Sequence, residues 1–135
     1  MYYRRKILLA LIEVFGGSLQ STDCEKLLFN FCQQTGKNHY DFFPYKFGPF
    51  SFLSYYDKRR MIDLGLLKKA DDFQLSTKHS YLNELTPADK TALLKFKAQI
   101  SDLRGDKLVK KIYRDFPQYT SRSKIAGRHF TADEI

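Results

Sequence analysis

Hydrophobic residues recur at intervals of three and four along much of the chain, which is the spacing of amphipathic helices. Five such stretches predict helices at about residues 3–15, 22–34, 52–64, 87–103 and 106–116. The second stretch opens with the T-x-x-E pattern of Thr22 and Glu25, which predicts a capping box at the helix start. Another short helix is expected near residues 123–126. The pattern therefore predicts a mainly helical protein.

A short hairpin is predicted between the third and fourth helices. Residues 66–69 and 73–76 flank Ala70, Asp71 and Asp72, which suit a tight turn between two strands. The order of three helices and a hairpin is that of a winged helix-turn-helix, in which the helix before the wing commonly enters the major groove. We therefore expect a mainly α, winged-helix-like domain with a short β-hairpin wing and additional C-terminal helices. It should span residues 1–130, followed by a tail of residues 131–135.

Residues 40–69 join an aromatic turn to the third helix. Ser51 can cap that helix, and Gly65 falls where a left-handed helix end would lie. We expect Lys58 and Arg59 to face outward, with Arg60 near the boundary. Asp57 and Asp63 should pair with basic residues of the same helix. The side chains expected to face inward are those of Leu53, Tyr56, Met61 and Leu64.

Composition narrows the class of partner. The 135 residues are 43% hydrophobic and carry a formal net charge of +8, which suits one folded domain with a basic surface. This charge favours a polyanionic partner, while a basic surface that serves only solubility remains an alternative. The apolar run at residues 7–12 is too short to span a bilayer, so no membrane association is expected.

Several kinds of chemistry are not expected. Cys24 and Cys32 lie eight residues apart on one predicted helix, about 12 Å along its axis, which is too far for a disulfide. Both are expected to be buried thiols in a reducing cytoplasm. The histidines show no zinc-ligand spacing, and the chain lacks phosphate-loop, dinucleotide and hydrolase motifs. We therefore expect no metal, no cofactor and no enzyme activity.

Basic and hydroxyl side chains converge on the turn, the third helix and the wing, where a nucleic-acid backbone could meet them together. The candidate nucleic-acid-binding residues are Lys46, Ser51, Ser54, Tyr55, Lys58, Arg59, Arg60, Lys68 and Lys69. A solvated face explains the lysines and arginines equally well. The neighbouring aromatic residues are expected to serve the core; they are Phe42, Phe43, Phe47, Phe50 and Phe52.

Three motifs in this region carry a family resemblance. KLLF at residues 26–29, YKFGPFS at 45–51 and LGLL at 64–67 resemble the Panacea antitoxin domain, which is also found in proteolytic-adaptor antitoxins. The resemblance covers about the first half of the chain. Phe47 departs from it, because a tyrosine is more usual before that glycine. It implies a prokaryotic or phage-related domain that binds a partner rather than catalysing a reaction.

A second resemblance extends over nearly the whole chain and includes LVKKIYRDFPQYTSRSKIA at residues 108–126. This sequence is similar to that of the helix-turn-helix-like N-terminal module of two-domain prokaryotic proteins of unknown function. Like the first resemblance, it implies a small bacterial or phage-related domain that binds a partner rather than catalysing a reaction. A further possibility is that the chain is the regulatory half of a protein that also has an effector domain.

Our leading hypothesis from the sequence is a cytoplasmic domain that binds duplex DNA and regulates transcription. Lys58 and Arg59 on the third helix, with Lys68 and Lys69 on the wing, would contact phosphates. The apolar stripes of the fourth and fifth helices have two equally good explanations. These helices could form a homodimer interface, or they could pack on the first helix.

The alternative belongs to another class. The Panacea resemblance implies a protein-interaction module that neutralises a toxin or delivers a client to a protease. The anchors of that interface would be Tyr45, Phe47, Phe50 and Tyr55, because aromatic residues are enriched in binding hot spots.

Overall fold

The computed structural model describes residues 1–45 and 48–119. In these ranges the elements follow the order α1 (Tyr3–Val14), β1 (Ser18–Leu19), α2 (Ser21–Thr35), α3 (Phe52–Asp63), β2 (Phe73–Gln74), α4 (Pro87–Ile100) and α5 (Gly105–Asp115), with short 3-10 helices at Leu82–Glu84 and Pro117–Tyr119. The prediction of a mainly helical protein is confirmed. The expected helix near residues 123–126, the domain end at 130 and the tail lie outside the described residues.

Local sequence signals set most helix ends. The Ser54 amide donates to Ser51 Oγ at 3.1 Å at the start of α3, and the Asp89 amide donates to Thr86 Oγ1 at 3.2 Å at the start of α4. Both caps were predicted. Gly65, just after α3, has a φ of 77°, the left-handed conformation that glycine adopts without strain.

The start of α2 differs from the sequence prediction. The helix begins at Ser21 rather than at Thr22, and its N-cap residue Gln20 makes no side-chain capping bond. The predicted capping box is therefore wrong. Glu25 is buried, and it accepts a hydrogen bond from the hydroxyl of Ser54 on α3 instead of from the start of its own helix. A tertiary contact has replaced the local one.

The sheet is small and antiparallel. Ser18 of β1 lies opposite Gln74 of β2, and Leu19 lies opposite Phe73. The predicted pairing of residues 66–69 with 73–76 is also present, since Leu67 bridges Leu75 and the Lys68 amide donates to the Gln74 oxygen at 2.9 Å. The segment before β2 and the distant strand β1 therefore both bond to residues 73–75. The two-residue strand β1 was not predicted.

The hydrophobic core is centred on α1, whose residues 7–12 have no exposed surface. The helices α2 and α4 pack against it, and α5 packs against α2. The apolar stripes of α4 and α5 are buried within the chain, which favours packing inside one molecule as their explanation. The side chains of these stripes are Leu93, Phe96, Ile100, Leu108, Val109, Ile112 and Tyr113. Both cysteines are buried free thiols.

A buried carboxylate joins α3 to α1. Asp57 is fully buried and accepts hydrogen bonds from Arg4 Nε at 2.8 Å, Arg5 Nε at 2.9 Å and the Tyr40 hydroxyl at 2.8 Å. Burial alone would raise the pKa of Asp57, but the bonds from Arg4, Tyr40 and Arg5 lower it below its ordinary value. Its predicted pairing within α3 is wrong, whereas the predicted pair of Asp63 is present, with Arg60 at 3.4 Å.

Asp57 with Arg4, Arg5 and Tyr40, which we call the Asp57 cluster, determines which side of α3 is buried. The buried residues of this helix are Ser54, Asp57, Lys58 and Met61. The outward orientation predicted for Lys58 is therefore wrong. The inward orientation predicted for Tyr56 and Leu64 is also wrong, because these side chains are 47% and 56% exposed. Met61 is buried as predicted.

We expect Asp57→Asn to destabilise the protein by about 2–4 kcal/mol, because it leaves Arg5 and Arg4 without their buried counter-charge. Urea denaturation at neutral pH would measure the change. Asp63→Asn on the same helix is the matched control, since its exposed ion pair with Arg60 should contribute less than about 1 kcal/mol. Equal losses in the two variants would contradict the assignment.

Candidate functional site

Five aromatic rings contact one another between the loop after α2 and the start of α3. We call Phe43, Tyr45, Phe50, Phe52 and Tyr55 the aromatic surface. Phe50 is the central ring, with centroids 4.8 Å from Phe52, 4.9 Å from Tyr55 and 5.3 Å from Tyr45. Phe43 contacts Phe52 at 6.2 Å. Phe43 and Phe52 are 53% and 60% exposed, so the expectation that they serve the core is wrong for these two residues.

Backbone bonds hold this loop in shape. The amides of Phe43 and Phe50 each donate to the carbonyl oxygen of the other residue at 2.9 Å. Gly48 lies between them with a φ of 104°, which favours glycine, and a Cβ atom there would lie 2.6 Å from Lys26 Cε. Ser51 then caps α3. The bonds between Phe43 and Phe50 and the cap at Ser51 therefore place these two rings beside the start of α3.

Two oppositely charged side chains are buried beneath the aromatic surface. Glu25 and Lys26 are each 2% exposed. Glu25 Oε1 accepts from Ser54 Oγ at 2.6 Å, and Lys26 Nζ donates to the Pro49 carbonyl oxygen at 2.8 Å. Among the described residues, Glu25 Oε2 has no hydrogen-bond donor. This oxygen contrasts with both oxygens of Asp57, which are bonded.

Burial moves both of their pKa values toward neutrality. It raises the pKa of Glu25 from 4.5 to about 7, against the opposing effects of the Ser54 hydrogen bond, the Lys26 charge and the Ser51 backbone amide. It lowers the pKa of Lys26 from 10.5 to about 8, against the opposing charge of Glu25. The protonation states of Glu25 and Lys26 therefore respond to any charge that comes close to them.

A cavity of about 120 Å³ lies between this pair and the aromatic surface. Its polar wall contains Glu25 and Lys26, while rings of the aromatic surface form much of the remainder. The lining residues are Thr22, Glu25, Lys26, Tyr45, Gly48, Phe50 and Tyr55. The site thus combines exposed rings with a small recess that ends at a charged pair.

Three of the predicted nucleic-acid-binding residues are buried. Ser51 and Ser54 form the helix cap, and Ser54 also bonds Glu25. Lys58 Nζ donates to the carbonyl oxygens of Ala70 at 3.0 Å and Asp71 at 2.6 Å. These groups are used inside the protein and are not available to a phosphate.

The other candidates are more accessible. Arg59, Arg60, Lys68 and Lys69 are exposed, and Tyr55 is half-buried in the aromatic surface. Lys46 lies outside the described residues, as does Phe47, one of the anchors proposed for a protein interface. The described candidates therefore fall into three sets: four exposed cations, the three buried residues Ser51, Ser54 and Lys58, and the half-buried ring of Tyr55.

Sequence reasoning missed the recess because it assigned Glu25 to a capping box and the phenylalanines to the core. One signal was present: Lys26 opens the KLLF motif and Gly48 lies in the FGP motif, and these residues contact each other in the structure. The proximity of the two motifs in the fold is the signal that points to the recess.

The described part of the chain contains no group of three or more His, Cys, Asp or Glu side chains that could hold a metal ion. Within the same ranges, no helix is long and apolar enough to cross a membrane. No protein-family model, curated protein or solved structure matches this chain.

We expect Glu25 to make the stability of the protein fall as the pH rises from about 4.5 to about 7. In this window the folded carboxyl keeps a proton that the unfolded chain has lost, so stability present at low pH is lost on deprotonation. Glu25→Gln should remove this dependence, and its stability relative to the natural protein should increase with pH by up to about 3 kcal/mol at pH 7.

Denaturant titrations at several pH values would test this expectation. Asp102→Asn is the control, because Asp102 is exposed and the substitution removes the same charge. A difference between Glu25→Gln and the natural protein that stays constant from pH 4.5 to 7 would contradict the assignment.

Proposed function

We propose that this protein is a protein-interaction module that binds a partner protein through the aromatic surface. The Panacea resemblance of the sequence implies a class for it, an antitoxin or a proteolytic adaptor of prokaryotic or phage origin. The proposal includes a cytoplasmic location, which suits the two buried free thiols. The partner would be a toxin, a protease or an effector domain.

One observation carries the proposal: large aromatic side chains lie exposed and in mutual contact. Single exposed apolar residues are normal on soluble proteins, but contiguous apolar patches are typical of interaction sites. Tyr45, Phe43 and Phe52 are each more than 40% exposed and belong to one set of ring contacts. Burying these rings against a partner would remove a large apolar area from water.

The exposed side of α3 extends this surface. Phe52, Tyr56 and Arg59 lie at helical spacing, and all three are exposed. Aromatic residues and arginine are enriched in binding hot spots, because they combine apolar contact with hydrogen bonding or charge. An aromatic centre with a cation beside it therefore suits a protein interface.

The framework beneath these rings is already formed. The Phe43 and Phe50 backbone bonds close the turn, and the Asp57 cluster fixes α3 against α1. A preformed surface loses less conformational entropy on binding than a flexible one. Anchor residues held by such bonds favour recognition of a folded partner.

A photo-crosslinking amino acid placed at Tyr56 should capture a discrete partner in the native host, which mass spectrometry would identify. Once the partner is purified, Phe43→Ser combined with Phe52→Ser should weaken binding by about 30-fold or more, the loss expected for hot-spot residues.

Leu94→Ser is the matched control, because Leu94 is a 44% exposed apolar residue on α4, away from the aromatic surface. Its affinity for the partner should stay unchanged. If the double variant folds and binds as tightly as the natural protein, the aromatic surface is not the interface.

Duplex DNA binding is a second candidate function. The order of α1, β1, α2 and α3, followed by the paired segments around residues 66–75, supports the proposal of a winged helix-turn-helix. Arg59, Lys68 and Lys69 are exposed on α3 and the segment after it. Lys68 and Lys78 also line an open groove of about 450 Å³. These features support contact with phosphates.

Other features favour the protein partner. Lys58, a central residue of the predicted phosphate site, is bonded inside the protein. The turn after Lys69 carries Asp71 and Asp72, whose carboxylates would be repelled by a phosphate backbone. The cationic surface near α3 is therefore smaller and less uniform than the sequence predicted.

If the protein binds duplex DNA, the affinity should fall with salt with a logarithmic slope of about −2 to −3, as expected for about three phosphate contacts. Exchanging Arg59, Lys68 and Lys69 for glutamate should abolish DNA binding. A gel-shift series at increasing salt would measure both effects. Lys95→Glu is the control, since Lys95 is an exposed cation on α4. No binding at low salt would exclude this function.

A further inference from the structure

The recess beneath the aromatic surface has an unmet hydrogen-bonding group. Glu25 is 2% exposed and bonds Ser54 through Oε1, but its Oε2 has no donor among the described residues. An unsatisfied buried polar group costs about 1–3 kcal/mol, and more when it is charged. Glu25 is also one of the residues that line the cavity of about 120 Å³. A donor that enters from outside would satisfy Oε2.

We propose that this cavity binds the cationic head of one lysine or arginine side chain from the partner protein. The existence of a partner rests on the proposed function of the aromatic surface, and the cavity would add specificity to it. The cavity is smaller than the roughly 300 Å³ typical of sites for drug-sized ligands, and it suits a single side-chain head group.

The chemistry of the walls favours a cation. A carboxylate forms its strongest hydrogen bonds with charged donors, and aromatic residues such as Tyr45, Phe50 and Tyr55 attract cations rather than anions. The Glu25 carboxylate would repel an anion.

Among the described residues of the lining, Lys26 is the one cation, and it is already engaged. Its ammonium donates to the Pro49 carbonyl oxygen at 2.8 Å. Burial lowers its pKa to about 8, so it gives up its proton more readily than an ordinary lysine when a second cation approaches. A bound cation would also favour the ionised form of Glu25.

Small probes can test the cavity without the partner. We would titrate the full chain with n-propylguanidinium and n-propylammonium and follow the backbone amide resonances of Thr22, Gly48 and Tyr55. Neutral n-propylurea and anionic butyrate are the matched comparison probes. We expect saturable shifts with at least one cation and none with the neutral or anionic compound. A preference for guanidinium would indicate arginine, and a preference for ammonium would indicate lysine.

Glu25→Gln keeps the shape of the side chain and should weaken cation binding by about tenfold or more. Asp102→Asn removes an exposed carboxylate elsewhere and should leave it unchanged. If Glu25→Gln does not fold, Tyr45→Leu provides a second test, because Tyr45 is an exposed wall residue and its loss should weaken binding several-fold.

The natural protein offers a third test through pH. Cation binding should be weaker at about pH 5.5 than at about pH 8, because Glu25 is protonated at the lower value. Among the described residues, the other titratable groups around this carboxyl are Lys26, Cys24, Tyr45 and Tyr55. Burial lowers the pKa of Lys26 to about 8, and its deprotonation would strengthen the same trend.

Three results would overturn the inference: no saturable shift with either cation, equal shifts with the neutral probe, or unchanged cation binding in Glu25→Gln. These results would not affect crosslinking at Tyr56 or the loss of partner binding in the Phe43 and Phe52 variant. Failure of the cavity proposal is therefore distinguishable from failure of the proposed interface.

Discussion

The buried carboxylate of Asp57 is the interaction on which the rest of the structure depends. It accepts hydrogen bonds from Arg4 and Arg5 of α1 and from Tyr40 in the loop after α2, so one side chain joins three parts of the chain. A buried charge is costly unless it is paired and hydrogen-bonded, and here all the partners are supplied by the fold. Rotating α3 would take Asp57 away from Arg4, Arg5 and Tyr40 and leave its buried charge without partners. The helix therefore has one favourable orientation.

That orientation turns the aromatic residues outward. The buried stripe of α3 consists of Ser54, Asp57, Lys58 and Met61, which follow helical spacing but are mostly polar. Each polar member has a partner: Ser54 bonds Glu25, and Lys58 bonds the carbonyl oxygens of the turn at residues 70–71. The opposite side of the helix is left to Phe52, Tyr56 and the exposed arginines. Aromatic residues of α3 therefore face solvent, because polar residues occupy most of its buried stripe.

The buried carboxylate of Glu25, beside this helix, is hydrogen-bonded less completely than that of Asp57. At Asp57 both carboxylate oxygens are bonded within the chain, whereas one oxygen of Glu25 has no donor among the described residues. Asp57 therefore stabilises the fold, while Glu25, which lines the recess, is the group that the proposed ligand would meet. Gly48 is central to the recess, since any side chain there would displace Lys26 from its position beneath the turn.

The sequence by itself determined the helices, the caps at Ser51 and Thr86, the turn at Gly65 and the pairing around residues 66–76, because these features depend on neighbours a few residues apart. Only the tertiary structure decided which side of α3 is buried and that Glu25 bonds α3 rather than its own helix start. Hydrophobic periodicity assigns apolar residues to the interior, and it cannot detect a buried side whose polar groups bond to residues 12 to 53 positions away.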